Sequence, residues 1–558
     1  VAVLLMICGI VSPEEGLSGF SNVGTLSVFA LLVLSLGLQS TGAVNYLADY
    51  VEKLSFKSES GNIFLLSILA GIPSAFLNNT AIVAIMLPVV MRLSKSTGIS
   101  ESKLLMPLSF AAMAGGTITI IGTSTNVIIS SIYQDYSGKA FGIFEFAILG
   151  FVLFATYLIY ILLFGRYLLP NKKSTDITLT EEYELGKFLI HVVINKNSPL
   201  VGKTIAESDL DKNRIRTIQI IHKGEEIIWV PEWNEKLNAG DELIVKANYK
   251  TLIENKRKLG LRIKKDHLDD KQLTSEDAVL FEAVIGNNSF LLGKMIKDVD
   301  FKQLFGAVPL ALRRQGASLN QKVSEIEMKF GDTILMEARR QNIDKFHNSK
   351  DFIVLGKKKK PNYRTDKLAL SIGIIITVVV IVSIGLLPLA VAALAGCVAM
   401  YLVGCVSPKY VYRKMEWRII FLLAGVIPLG IAVQKTGLGT LVATNLLWIL
   451  GQSSVELVIA ILFILTTLFT SFMSNNATAI LLAPIAIGIA NQMGIDPKPF
   501  LITVMFAAST SFLTPIGYQT NTLIYGPGKY RFIDYVIVGG PLTILFALIS
   551  IFLIPYLF

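Results

Sequence analysis

Histidine and cysteine are scarce, with four of one and three of the other in 558 residues. The histidines (His191, His222, His267 and His347) all fall between residues 171 and 366. None is therefore available in the long apolar stretches as a proton relay or metal ligand. Cys8, Cys397 and Cys405 sit in apolar surroundings, which suits buried thiols and argues against a disulfide framework. Charge is missing where the chain is oiliest: residues 62–91, 104–134 and 457–495 contain no Asp, Glu, Lys or Arg, and Glu145, Glu456 and Asp534 fall near expected helix ends. No nucleophile–base pair or metal cluster stands out, so neither an enzyme nor an organic cofactor is expected. The net charge of +10 gathers beside apolar stretches, so it does not point to a nucleic-acid partner.

What is present is largely hydrophobic. Apolar residues make up 53% of the chain and charged ones 16%, against about 25% charged in an average soluble protein. Residues 22–38, 142–164, 368–387, 388–406, 417–433, 455–473 and 534–558 are apolar runs, close to the roughly 20 residues that cross a bilayer. The composition predicts a polytopic α-helical membrane protein surrounded by lipid. The opening VAVLLMICGIV is too short to span, and comparison with the second half of the chain predicts a further helix ahead of Val1.

Residues 1–170 and 366–558 are apolar, and the block between them is polar, with Lys172, Lys173, Lys357–Lys360, Arg364 and Lys367 at its two junctions. Cationic flanks mark the cytoplasmic side, which predicts that residues 171–366 are cytoplasmic. The apolar blocks match each other at a shift of 395 or 396 positions: QSTG at 39–42 with QKTG at 434–437, FLNNTAIVAIMLP with FMSNNATAILLAP, and GTSTN at 122–126 with GYQTN at 517–521. Two homologous halves follow, in inverted topology. In each half one apolar stretch is interrupted by Asn residues and the next by Gly and the GTSTN or GYQTN loop. Re-entrant hairpins and helices broken at mid-membrane are expected, as in secondary transporters. The polar block repeats at a shift of 91, NSPLVGK at 197–203 with NSFLLGK at 288–294. Two small α+β domains, residues 184–250 and 275–342, are expected, joined through residues 250–270.

Non-helical backbone is tolerated inside a bilayer only where protein or water covers it. A hairpin tip beside a helix break meets that condition. Helix N-termini bring unpaired N–H groups and partial positive charge, which suit an anion; unwound carbonyls bring oxygens, which suit Na+. Asn supplies a donor and an acceptor at one spot. The candidates are Asn78, Asn79, Thr80, Gly122, Thr123, Ser124, Thr125 and Asn126 in the first half, and Ser474, Asn475, Asn476, Thr478, Gly517, Tyr518, Gln519, Thr520 and Asn521 in the second. A proton-coupled carrier needs a buried carboxylate or histidine, so Na+ is the expected coupling ion.

On these residues the chain resembles the divalent anion:sodium symporter (DASS) family, within the ion transporter superfamily, over nearly all of both apolar blocks. That family carries Ser-Asn-Thr at two hairpin tips. Here the tips read Asn78-Asn79-Thr80 and Ser474-Asn475-Asn476. Asn79 and Asn475 match the central Asn, Thr80 and Ser474 match their own positions, and Asn78 and Asn476 depart from the pattern. The family's Thr-Pro-Pro loops are replaced by GTSTN and GYQTN. The resemblance implies Na+ sites at Asn79 with Gly122 and at Asn475 with Gly517. The expected substrate contacts are Asn78, Asn79, Thr80, Ser124, Thr125, Asn126, Ser474, Asn475, Asn476, Gln519, Thr520 and Asn521. It also implies an elevator-type movement in a homodimer. TPIGYQTNTLIYGPGKYRFIDY at 514–535 resembles the sulfate-permease branch of algae and bacteria, which implies Na+-coupled symport of sulfate or a similar divalent anion. The two polar domains resemble TrkA-C (RCK-C) modules on SPLVGKT and AGDELIV. That resemblance implies pairing across a dimer, with either a small nucleotide regulator or a purely structural role.

Other readings stay open. A di- or tricarboxylate symporter on the same scaffold needs room where Asn476, Ser124 and Gln519 stand. An RCK-regulated cation channel would use PIGYQ at 515–519 as a filter resembling TVGYG, but the stretch occurs once and lacks the last glycine. A cation/proton antiporter or oxyanion exporter would want a mid-membrane carboxylate.

Overall fold

The computed structural model describes residues 2–43, 54, 56, 58–172, 189–213, 215–222, 227–229, 231, 233–247, 249–264, 278–286, 289–314, 317–319, 325–349, 351–355, 365–415, 417–437, 441 and 454–558. They form two compact units, Val1–Lys172 with Asn362–Phe558, and Lys173–Pro361. Lys173, Lys357–Lys360, Arg364, His267 and the expected domain starts at 184–188 and 275–277 lie outside the described residues.

The first unit is helical. It runs α1 (Ala2–Ile7), α2 (Pro13–Ser21), α3 (Val23–Ser40), α4 (Glu59–Ser74), α5 (Asn79–Thr97), α6 (Glu101–Gly116), α7 (Ser124–Ser137) and α8 (Ala147–Leu168). It resumes with α9 (Leu368–Ser383), α10 (Leu389–Leu402), α11 (Pro408–Lys414), α12 (Trp417–Lys435), α13 (Val455–Phe472), α14 (Asn475–Met493), α15 (Lys498–Ser509), α16 (Gln519–Tyr525) and α17 (Phe532–Leu557). Among the described residues, seven stretches are long and apolar enough to cross a membrane: Pro13–Ser40, Asn79–Thr97, Ala147–Leu168, Thr365–Ser383, Val455–Phe472, Asn475–Met493 and Phe532–Leu557. The run at 388–406 yields a helix of only 14 residues, about 21 Å long. Pro388 starts it, and Gly404 follows its end in the left-handed conformation.

Two helices form the interior. α6 is buried along its whole length and α15 from Pro499 to Ser509, as expected for helices apolar on every side. α4, α5 and α8 pack around α6, and α13, α14 and α17 pack around α15. Gly115 lets α6 meet α4 backbone to backbone, since a Cβ there would lie 2.0 Å from Gly71 O. Charge stays at helix ends: Lys103 pairs with Glu59 at 2.7 Å, Lys498 with Glu145 at 2.5 Å, and Lys172 with Asp534.

The second unit holds two antiparallel sheets. β1 (Leu189–Ile194), β2 (Arg216–Ile221), β3 (Ile227–Trp229), β4 (Glu242–Lys246) and β5 (Leu261–Ile263) lie in the order β3-β2-β4-β1-β5. β6 (Ala278–Ile285), β7 (Ala307–Arg314), β8 (Ala317–Ser318), β9 (Thr333–Arg339) and β10 (Phe352–Leu355) lie in the order β10-β6-β9-β7-β8. The registers correspond: Leu189 opposite Lys246 in one sheet, Leu280 opposite Glu337 in the other. A buried apolar cluster, including Ile218, Ile244, Leu310 and Leu335, joins the sheets.

Lys246 and Glu337 thus occupy matching positions, the first half-buried and the second buried. Burial pulls the Lys246 amine down to about 7 and pushes the Glu337 carboxyl up to about 8. The folded unit keeps a Glu337 proton that the unfolded chain releases near 4.5. Its stability therefore falls as pH rises between those values. The Lys246 effect runs the other way and lies above pH 7, and the histidines are common to wild type and variant, so the difference between wild type and Glu337→Gln from pH 5 to 7 isolates Glu337. Glu337→Gln should abolish the fall. Hydrogen exchange of β9 amides in the full chain, corrected for intrinsic rates, checks this. Wild type should lose protection from pH 5 to 7, and the variant should not.

Candidate functional site

The site is built where helices start. Asn78 caps α5, its Oδ1 accepting from Thr80 N at 2.8 Å, and Ser474 caps α14, its Oγ accepting from Ala477 N at 3.3 Å. Asn and Ser are both strong N-caps, so the sequence-matched positions can differ without loss. α6 stops at Gly116 and α7 begins after Thr123; α15 stops at Ser509 and α16 begins after Tyr518. Neither Thr123 nor Tyr518 makes a side-chain cap bond, which leaves the first-turn N–H groups of α7 and α16 without a side-chain partner.

These four starts converge. Asn78, Asn79, Thr80, Gly122, Thr123, Ser124, Thr125, Ser474, Asn475, Asn476, Gly517, Tyr518 and Gln519 line one cavity of about 480 Å3, counted out to its open mouth. Thr123 and Tyr518, candidates to which the resemblance assigned neither ion, both belong to the wall. Tip and loop residues bond across the two halves. Thr80 Oγ1 donates to Gln519 Oε1 at 3.0 Å, and Ser124 Oγ and Thr125 Oγ1 donate to Asn476 Oδ1 at 3.1 and 3.0 Å. In the orientation that satisfies its neighbours, the Asn79 amide accepts from Tyr518 OH at 2.7 Å and donates to Gly122 O at 3.2 Å and Ala112 O at 3.3 Å. Thr470 Oγ1 donates to Asn475 Oδ1 at 2.9 Å.

Three expected substrate contacts lie off the cavity wall. Asn126 Nδ2 donates to Thr119 O at 2.9 Å and Gly116 O at 3.3 Å; Asn521 Nδ2 donates to Ser511 O at 2.9 Å and Thr514 O at 3.1 Å. Their oxygens accept from Ser509 and Ser109 respectively. These amides brace the loops, because a buried non-helical backbone leaves carbonyls that must be paired. Thr520 Oγ1 lies 2.8 Å from Ser109 Oγ and is paired with it. Thr478 is buried, and among the described residues its hydroxyl has no partner.

The wall has a definite polarity. Every carboxamide oxygen around it, on Asn78, Asn79, Asn475, Asn476 and Gln519, already accepts a hydrogen bond. Among the described residues, the amide NH2 groups of Asn475, Asn476 and Gln519 meet no protein acceptor. No charged side chain lines the cavity, and no group of three or more His, Cys, Asp or Glu gathers among the described residues.

Gly122 and Gly517 sit against oxygens. A Cβ on Gly122 would lie 2.4 Å from Gly116 O and 2.7 Å from Ser74 O; one on Gly517 would lie 2.1 Å from Ser511 Oγ and 2.5 Å from Thr470 O. Backbone carbonyls cannot step aside, so Gly122→Ala and Gly517→Ala should each cost about 1–3 kcal/mol of stability. Thermal unfolding of the purified protein checks this against Gly142→Ala, whose Cβ would meet nothing closer than 3.7 Å. The first two should melt at least a few degrees lower, and the third should melt with wild type.

The chain matches the family described as citrate transporters over residues 1–496 and again over 440–558. It is similar to an uncharacterized transporter of Synechocystis sp., at 37% identity over 100% of this chain and 92% of the relative. It is also similar to one of Escherichia coli K12, at 28% over 100% and 94%. Sodium/sulfate cotransporter 1 of Chlamydomonas reinhardtii is 22% identical over 98% of this chain and 85% of its own length. With seven apolar helices long enough to cross a membrane, this is a multi-pass helical membrane protein that transports rather than catalyses, and the chain belongs to the citrate transporter family of the ion transporter superfamily.

Proposed function

We propose that the chain is a secondary active symporter that moves sulfate, or a similar divalent oxyanion, together with Na+. The observation that carries this reading is the polarity of the cavity: its carboxamide oxygens are taken, while among the described residues the NH2 groups of Asn475, Asn476 and Gln519 are left for a ligand. Sulfate at neutral pH carries no proton to donate and asks only for donors. The starts of α5, α7 and α14 add their positive ends. Na+ is assigned to Asn79 with Gly122 and to Asn475 with Gly517, where the carbonyls of Ser74, Gly116 and Thr470 crowd the glycines. The name of the algal sodium/sulfate cotransporter supports the same pairing of ions.

A second reading, a Na+-coupled di- or tricarboxylate symporter, is favoured by the description of the family.

In the proposed cycle, Na+ orders each tip and its loop, the dianion then binds, and neutralisation lowers the cost of carrying charge through lipid. Each of two inverted repeats contributes a re-entrant hairpin, α4–α5 and α13–α14, and the hairpin-bearing unit moves as an elevator against a scaffold of the remaining helices in a homodimer. The unit around residues 189–355 is cytoplasmic and contains two TrkA-C-like domains. A small cleft there, lined by Arg216, Thr217, Trp233 and Lys302, has room for no more than one anionic group of a small nucleotide regulator.

Radiolabelled sulfate binding to the purified protein, with Na+ replaced stepwise by K+ at constant ionic strength, tests the core of this reading. Retention that rises with Na+ supports it. Retention indifferent to Na+, or none at any concentration, contradicts it.

A further inference from the structure

The two loops facing the cavity match residue for residue at Gly122/Gly517, Thr125/Thr520 and Asn126/Asn521, and differ between them: Thr123 and Ser124 stand where Tyr518 and Gln519 stand in the second half. Both second-half residues are larger, and both reach across to the first half. Tyr518 OH lies 2.7 Å from the Asn79 amide and 3.2 Å from Thr123 Oγ1, and Gln519 Oε1 accepts a hydrogen bond from Thr80 Oγ1 at 3.0 Å. On the other side Ser124 and Thr125 are short, and there Asn476 reaches to them. The phenol ring of Tyr518 therefore crosses from its own loop to the first tip, and its side chain is only 9% exposed. It takes up room on the side of the first tip that Thr123 does not take up on the other.

We propose that Tyr518 is the specificity-determining residue of this cavity, admitting a compact tetrahedral dianion and excluding extended dicarboxylates by closing the space beside Asn79. The proposal rests on the anion-symport reading above. A four-oxygen anion needs one cluster of donors. A four-carbon dicarboxylate needs two clusters separated by the length of its chain, and the ring occupies the path between Asn79 and the second-half donors. Its hydroxyl has a separate task, which is to hold the Asn79 amide in one orientation.

The test is uptake into proteoliposomes of radiolabelled sulfate and, separately, radiolabelled succinate, by wild type, Tyr518→Thr and Tyr518→Phe. Tyr518→Thr copies the matching position in the first half. It should raise the succinate-to-sulfate ratio of kcat/KM by about 10–100-fold, the range that steric discrimination supplies. Tyr518→Phe keeps the ring and should still exclude succinate, while its KM for sulfate rises about tenfold and kcat stays within about twofold. A ratio unchanged in Tyr518→Thr overturns the proposal. If that variant does not fold, succinate uptake by Tyr518→Phe overturns it, because the hydroxyl and not the ring would then exclude the dicarboxylate. Absence of sulfate uptake by wild type refutes the anion-symport reading itself, which separates the two failures.

Discussion

Asn79→Ala and Asn475→Ala are each expected to bring Na+-driven sulfate uptake down to the level of empty liposomes, with the protein still made and still folded. Both residues open their helices and are nearly buried, at 3% and 8% exposure. Asn79 ties three elements together, through Tyr518 OH, Gly122 O and Ala112 O. Asn475 is oriented by Thr470, whose hydroxyl also reaches Ala508 O at 3.2 Å. Truncation to Ala leaves buried partners unpaired, at a cost of about 1–3 kcal/mol each. That is small beside the stability of a bundle this size, but it falls on the atoms proposed to hold both ions. Asn475→Ala removes an oxygen from Na+ and a donor from the anion, and Asn79→Ala releases Tyr518 and the Gly122 carbonyl that shape the other ion site, so each substitution acts on both ions. Uptake is measured against protein recovered in monodisperse form, so that loss of folding is scored separately. Normal uptake by both variants would remove the tips from the site.

Asn476→Asp should be the most damaging isosteric change in the cavity. It exchanges an unpaired NH2 donor for a carboxylate oxygen with almost no change in shape. A unit charge about 4 Å from another interacts by roughly 4 kcal/mol at the effective dielectric of a protein surface, and the cargo carries two charges. Even halved for screening, this exceeds the ~2.7 kcal/mol that makes a hundredfold change in affinity. Sulfate binding should therefore fall more than about a hundredfold at pH 7.5. It should return in part at pH 5, where the new carboxyl begins to take up a proton and offers a donor again. Asn476→Ala, which loses the donor without adding charge, should cost only about tenfold. Equal losses in the two variants would mean that the cavity does not distinguish a donor from a negative charge.

The interruptions at Asn78–Thr80 and Ser474–Asn476 were legible because polar groups set in an apolar run must be paired or serve a ligand. The helix starts at Asn79 and Asn475 fall at those tips. The neutrality of the cavity was legible too, since an uncharged stretch of sequence cannot build a charged wall by itself. The division of labour among the amides was not. An Asn in a loop can face cargo or brace its own backbone, and only the carbonyls within reach decide. Asn126 and Asn521 found Gly116, Thr119, Ser511 and Thr514, and turned away from the cavity. Tyr518 stood among the candidates, but its bond to Asn79 was not legible, because the two lie more than 400 residues apart and a side chain that bonds across halves leaves no local pattern. The apolar run at 388–406 read as a span, but its helix is only 14 residues long: hydrophobicity counts residues, whereas Pro388 and Gly404 set the ends.

The most direct test is radiolabelled sulfate uptake into proteoliposomes under an inward Na+, K+ or H+ gradient, with excess unlabelled succinate or phosphate as competitor. The account predicts uptake under the Na+ gradient alone, untouched by succinate. It also predicts weak competition at most from hydrogenphosphate, whose proton meets carboxamide oxygens that already accept bonds. Uptake driven equally by K+ or H+, or abolished by succinate, would contradict it.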